Sequence, residues 1–190
     1  MYHAAPDHIS QKYKQMRTYI TGFMGSGKST VGRLLAEQQS CSFIDTDTWI
    51  EEHIGMSIPA YFASEGEAAF RQRETDALEA TATHDHAVVA TGGGMLVNPT
   101  NMQRAKTLGT VVYLRVDVDV LHTRLTPDAA DRPLLCDATG TPRTGDDLHA
   151  RISDLLNTRA PFYEAAHVTV DANASPPTVA TRIANTLLHR

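Results

Sequence analysis

Short apolar runs and amphipathic stretches alternate along the chain. Residues 18–23 form an apolar-rich run broken by Gly22, which predicts a strand. Over 29–38 the apolar positions Val31, Leu34 and Leu35 fall on one helical face. Residues 42–44 predict a second strand, and a helical pattern fills 58–82 with an interruption near Gly66. A third strand is predicted over 87–91 and is stopped by Gly92, Gly93 and Gly94. A helix over 99–108, a strand over 110–116 and a helix over 118–125 follow. Residues 126–145 are rich in Pro, Gly, Asp and Thr and predict a long mobile loop. The helix predicted over 146–165 carries Leu148, Ile152, Leu155 and Leu156 on one face. A fifth strand over 167–170, a linker-like stretch over 171–177 and a helix over 178–188 complete the pattern. Strands alternating with helices predict an α/β fold, a parallel sheet covered on both faces. Ligands of such sheets bind at the carboxyl ends of the strands.

At 190 residues with 42% apolar content, the chain is long enough for one domain with a substantial core. Residues 1–16 carry neither an apolar segment nor a cleavage signature, so they read as a flexible extension and not as a targeting peptide. No run of 18 apolar residues exists to span a membrane. The net charge of −5 argues against a nucleic-acid partner. It leaves room for a small anion held by a few cations in one cleft. Cys41 and Cys136 sit in no CxxC or Cys/His cluster and read as reduced thiols of a cytoplasmic protein. The nine histidines show no metal-ligand spacing, and His84 and His86 read as a solvated pair.

Residues 22–29 match G-x-x-x-x-G-K-[ST], after a predicted strand and at the start of a predicted helix. Glycines there let the backbone wrap phosphates, and the helix start adds its positive end. Lys28 is placed to reach the β- and γ-phosphates, and Ser29 to bind a magnesium ion. Gly25, Ser26, Gly27, Lys28, Ser29 and Thr30 are therefore candidate nucleotide-binding residues. A GTPase would also need N-K-x-D, which is absent. Residues 111–117 imitate a Walker B strand but lack its second acid.

Asp45 and Asp47 end the second predicted strand, and residues two apart point the same way on a strand. One carboxylate would then hold a magnesium-bound water and the other a hydroxyl; helix capping by Asp47 is the competing reading. Residues 62–74 contain F-x-x-x-G-E-x-x-F-R-x-x-E, in which Glu67 and Phe70 lie close to Glu74 on one helical side. Gly92, Gly93 and Gly94 form either a hinge or a close approach of backbone to ligand. Arg132 stands in R-P-L-L within the long loop, and Arg159 in R-x-P-x-Y near a helix end.

In this order and spacing, these motifs resemble those of the shikimate kinase family, from about residue 18 to 188. The resemblance implies a P-loop fold of the nucleoside-monophosphate-kinase type, an α/β/α sandwich whose five parallel strands run in the order 2-3-1-4-5. It implies transfer of the ATP γ-phosphoryl group to the 3-hydroxyl of shikimate, with Mg²⁺ as cofactor. Lys28, Asp47 and Arg132 would be catalytic: Asp47 would hold the acceptor hydroxyl and draw off its proton, and Arg132 would swing over the phosphates. Asp45 would hold the metal through water, beside Ser29. Arg71 and Arg159 would clamp the shikimate carboxylate, with Gly92, Gly93 and Gly94 supplying backbone contacts. Arg124 and Pro176 match positions that flank adenine. Within a single domain over 17–190, residues 47–82 would form the shikimate-binding part and 126–145 a lid. One departure stands out: residues 136–147 look longer than the usual connection after R-P-L-L, which leaves lid length and any role of Arg143 open. The partners expected are shikimate and ATP, in a cytoplasmic monomer, although no residue pattern bears on oligomeric state. Gluconate kinase, also a P-loop enzyme acting on a hydroxy acid, is the nearest rival. A non-catalytic nucleotide-binding regulator would be betrayed by loss of the acceptor acid or the lid arginine.

Overall fold

The computed structural model describes residues 17–189, so the extension expected over 1–16 lies outside the described residues. Five strands form one sheet: β1 (Arg17–Thr21), β2 (Ser42–Asp45), β3 (Ala87–Ala90), β4 (Gly109–Arg115) and β5 (Val168–Asp171). Their order is β2-β3-β1-β4-β5, and every neighbouring pair is parallel. The order is the expected one, and each strand lies within two residues of its expected bounds. The helices are α1 (Lys28–Gln39), α2 (Thr46–Ile54), α3 (Ile58–Ala80), α4 (Pro99–Leu108), α5 (Val118–Leu125), α6 (Gly145–Glu164) and α7 (Pro176–Leu188). None of the described helices is long and apolar enough to cross a membrane.

The central strands are apolar at consecutive positions because both of their faces are covered. On one face Ile20, Val88, Val112 and Leu114 join a core with Leu35 of α1 and Val179 and Ile183 of α7. On the other, Tyr19, Val89 and Val111 join Leu78 of α3 and Met102 and Ala105 of α4. A parallel sheet sends every strand toward the same edge. The connections after β1, β2 and β3 therefore gather there, and these are the segments that carry the sequence motifs.

Two expectations change. Asp45 and Asp47 do not share a strand: β2 ends at Asp45, and Asp47 lies in the first turn of α2. The cap is Asp45, whose Oδ1 accepts the Asp47 N–H at 3.1 Å, so Asp47 does not cap the helix. The segment 126–145 is also not a structureless loop. It holds 3₁₀ turns at Ala129–Asp131 and Pro133–Leu135, and Ala129 and Leu135 are buried in the core. The Arg143 N–H donates to the Leu135 carbonyl at 3.0 Å, and Cys136 bridges Pro142, closing a small exposed turn over 137–141. Two apolar side chains suffice to pin a segment whose composition is otherwise that of a loop. Within α3 the backbone does break at Gly66 (φ 80°, ψ 178°), as expected from the glycine.

Candidate active site

The loop after β1 turns back on itself through Gly22, Gly25 and Gly27, whose φ values of 145°, 75° and 92° lie where side chains are disfavoured. Gly27 gives α1 no side-chain cap, so the first-turn N–H groups remain available to an anion. Lys28, the first residue of α1, folds its ammonium back over this loop and donates to the carbonyls of Gly22 and Phe23, both at 3.0 Å. Withdrawal from water lowers the Lys28 pKa to about 8; Asp47 and Asp45 oppose the shift, and the charges of Arg132 and Arg159 add to it.

Ser29 donates its hydroxyl to Asp45 Oδ2 at 2.6 Å. Asp45 thus holds Ser29 with one oxygen and the start of α2 with the other. The Asp47 carboxyl is held above the usual range by withdrawal from water, with Lys28 opposing and Asp45 and Glu51 reinforcing. Lys28, Ser29, Thr30, Asp45, Asp47 and Arg132 line a cavity of about 340 Å³, together with Gly25, Gly27 and Gly93. Ser26 lies buried in the loop between these glycines. Arg132 Nε is buried in the cavity wall with no protein acceptor.

A second cavity of about 270 Å³ is lined by Arg71, Arg159, Gly94, Glu67, Val97 and Asn98. Arg71 donates from Nη1 to Glu74 Oε2 and from Nη2 to Glu67 Oε1, each at 2.8 Å. Glu74 is 2% exposed, so its charge is offset by Arg71 and not by water. Burial raises the Glu74 pKa, and the hydrogen bond from Arg71 opposes that rise. The glycine triplet runs between the two cavities, with Gly93 lining the first and Gly94 the second. A Cβ on Gly92 would stand 2.5 Å from Asp47 Oδ1, and one on Gly94 would stand 2.8 Å from Arg71 Nη1. The backbone runs close against the Asp47 and Arg71 side chains, and the Gly92 N–H is fixed by Thr46 Oγ1 at 2.8 Å.

Arg124 and Pro176 line neither cavity. Arg124 donates to the carbonyls of Gly25, Ser26 and Ala172, tying the glycine loop to the connection between β5 and α7; Pro176, the first residue of α7, stands exposed. Four residues enter that the sequence reading assigned no role. Glu67 and Glu74 lie four residues before and three after Arg71, a spacing that signals helical ion pairs. Asn98 caps α4 through the Thr100 N–H, a function visible in its place before Pro99. Tyr163 lies in the quoted R-x-P-x-Y pattern, four residues beyond Arg159, and its hydroxyl donates to the Gly93 carbonyl at 2.6 Å.

Residues 24–188 match the description of one protein family, shikimate kinase. The chain is 51% identical over 168 residues to a shikimate kinase of Salinibacter ruber, covering 88% of this chain and 82% of that protein. Its structure is similar to that of a shikimate kinase from Acinetobacter baumannii in complex with shikimate, with a TM-score of 0.83 and 36% identity, covering 95% of this chain and 97% of that one. A shikimate kinase from Bacteroides thetaiotaomicron is similar to the same degree, with a TM-score of 0.83 and 32% identity over 91% of this chain and 98% of that one.

Proposed function

This chain belongs to the shikimate kinase family, and from that membership we propose how its two cavities divide the reaction. The chain is an ATP-dependent kinase that phosphorylates a hydroxyl of shikimate. The finer reading is transfer to the 3-hydroxyl, with the nucleotide phosphates in the cavity at Lys28 and the acceptor carboxylate in the cavity at Arg71 and Arg159. The observation that carries it is the adjacency of Gly93 and Gly94, one lining each cavity, which sets a phosphate cradle against a two-arginine clamp.

Phosphoryl transfer needs positioning and charge neutralisation more than covalent chemistry from the protein. Lys28 and the N–H groups of the glycine loop hold the phosphate oxygens. Arg132 meets the charge that spreads over the transferring group. Asp47, close against Gly92, takes the hydrogen bond of the acceptor hydroxyl and then its proton. Arg71 and Arg159 hold the carboxylate through planar, paired donors. Arg124 and Pro176 would border the adenine side of the nucleotide. The donor set of Ser29 and Asp45, two hard oxygens 2.6 Å apart at the cavity edge, fits a hard divalent cation such as Mg²⁺. When bound there, that ion supplies neutralisation of phosphate charge. We further assign the acceptor part to 47–82 and the lid to 126–145, in a cytoplasmic monomer.

The test is ADP release by purified protein with ATP and Mg²⁺, offered shikimate, gluconate or AMP. Shikimate alone is expected to support turnover; no product from a folded, ATP-binding protein would sink the assignment. Under the same conditions, Arg71→Ala and Arg159→Ala should each raise KM for shikimate about ten- to a hundredfold, because each removes a charged hydrogen-bond donor. ATP affinity should hold. An equal loss for ATP would move these arginines to the phosphates.

A further inference from the structure

Tyr163 is 0% exposed, although it carries a polar hydroxyl. Its ring stacks on Tyr113 of β4, with centroids 5.2 Å apart and planes at 28°. This packing holds the side chain on one course, and the hydroxyl ends at the Gly93 carbonyl, 2.6 Å away and 70 residues distant in sequence. Burial pushes the phenol up to about 12, with the neighbouring Arg159 opposing, so the group stays a neutral donor at physiological pH.

The consequence lies in the next peptide bond. The Gly93 carbonyl and the Gly94 N–H belong to one planar trans unit and point in opposite directions. A hydrogen bond that anchors the oxygen therefore also aims the N–H. Neither glycine has a Cβ to restrict its dihedral angles, so without an anchor this peptide has an unusually wide range of orientations. Gly94 lines the two-arginine cavity, and its Cβ direction leads to Arg71 Nη1. Arg159, one turn before Tyr163 on α6, lines the same cavity.

We propose that Tyr163 is a positioning residue for the acceptor: its hydroxyl holds the Gly93–Gly94 peptide so that the Gly94 N–H, Arg71 and Arg159 converge on one carboxylate. The proposal rests on reading the second cavity as the carboxylate site. Tyr163 touches no substrate; it acts through a peptide plane. Its place on α6 with Arg159 makes the helix a common frame for one backbone donor and one side-chain donor.

The test compares Tyr163→Phe with the parent on two acceptors, shikimate and its primary carboxamide. Phenylalanine keeps the ring and its stacking on Tyr113, and removes the hydroxyl that donates to the Gly93 carbonyl and is hydrogen-bonded with Arg159. The parent is expected to favour the acid strongly over the amide; equal KM values would overturn the carboxylate reading and this proposal with it. Given that preference, Tyr163→Phe should raise KM for shikimate about three- to tenfold, the worth of one hydrogen bond. It should leave KM for the amide and for ATP within about twofold. Adding Tyr163→Phe to Arg159→Ala should cost less than it does in the parent, since both act on one carboxylate. An unchanged KM for shikimate overturns the proposal, as does an equal rise for acid, amide and ATP, which would mark Tyr163 as a packing residue only.

Discussion

Asp47→Asn is expected to lower kcat about a hundredfold or more, the usual worth of a positioned general base, while ATP affinity should stay within a few-fold. Asparagine fills the same space and keeps one acceptor oxygen, so the cavity shape survives. The fold at this point does not depend on the side chain. The Asp47 N–H is held by Asp45, and the neighbouring Thr46 hydroxyl holds the Gly92 N–H. What asparagine loses is basicity. The Asp47 pKa is raised by withdrawal from water, which makes the carboxylate a better proton acceptor while Lys28 keeps it from rising further. The same shift gives a second readout. A carboxyl with a higher pKa in the folded state binds more protons there than in the unfolded chain, so its contribution to stability falls as pH rises through that window. At neutral pH the buried charge is a cost, and the variant should melt no lower than the parent. Steady-state kinetics, a nucleotide-binding titration and a thermal melt measure all three. A kcat within a few-fold of the parent would leave Asp47 as an ordinary first-turn residue of α2.

Arg132→Ala is the second large effect: turnover should fall about a hundred- to a thousandfold, as when a preorganised donor to developing charge is removed. Folding and shikimate binding should persist. Arg132 stands between the buried Ala129 and Leu135, so its backbone is anchored on both sides. Its Nε is buried without a protein acceptor and is ready to donate to an oxygen of the transferring group. The lid reading becomes more specific in this light. The Leu135 amide, bonded to the Arg132 carbonyl at 2.8 Å, should exchange slowly in the free protein, whereas the exposed turn over 137–141 should exchange fast. Binding of ADP and shikimate together should slow exchange over 126–145 as the segment closes and excludes water. Exchange that is already slow throughout and does not respond would make the segment a static wall. Retained turnover in the alanine variant would remove Arg132 from the chemistry.

The sheet was legible because consecutive apolar positions in 87–91 and 110–116 leave no polar face, and such strands belong inside a parallel sheet. The glycine loop was legible because its glycines, lysine and serine must be adjacent in sequence to wrap one phosphate. Helix α2 was not, because only Trp49, Ile50 and Ile54 mark its apolar face and its first turn overlaps the two aspartates. The burial of Ala129 and Leu135 was hidden for a related reason: composition over 126–145 averages away two residues that happen to meet the core. The Arg71 ion pairs were visible as spacings. That Glu74 is buried while Glu67 is exposed follows only from tertiary packing, which sets Glu74 beside Gly94. The bond from Tyr163 to Gly93 had no sequence signal at all, since it joins α6 to the connection after β3, and their meeting depends on the order of the strands.

The lowered pKa of Lys28, about 8, has a consequence for proton traffic. Near that pH the free protein is a mixture of charged and neutral lysine. A polyphosphate laid against the ammonium favours the charged form. If Lys28 holds the phosphates as proposed, nucleotide binding in this range should take up a fraction of a proton, and affinity should decline as pH climbs past 8. Calorimetric binding heats should then differ between buffers of high and low ionisation enthalpy; identical heats would mean the lysine is fully charged beforehand. Stability of the free protein runs the other way. Between about 8 and the ordinary lysine value of 10.5, the unfolded chain binds more protons than the folded one, so this residue adds stability as pH rises. Alkali should thus loosen the grip on nucleotide through the same ammonium whose discharge relieves the fold.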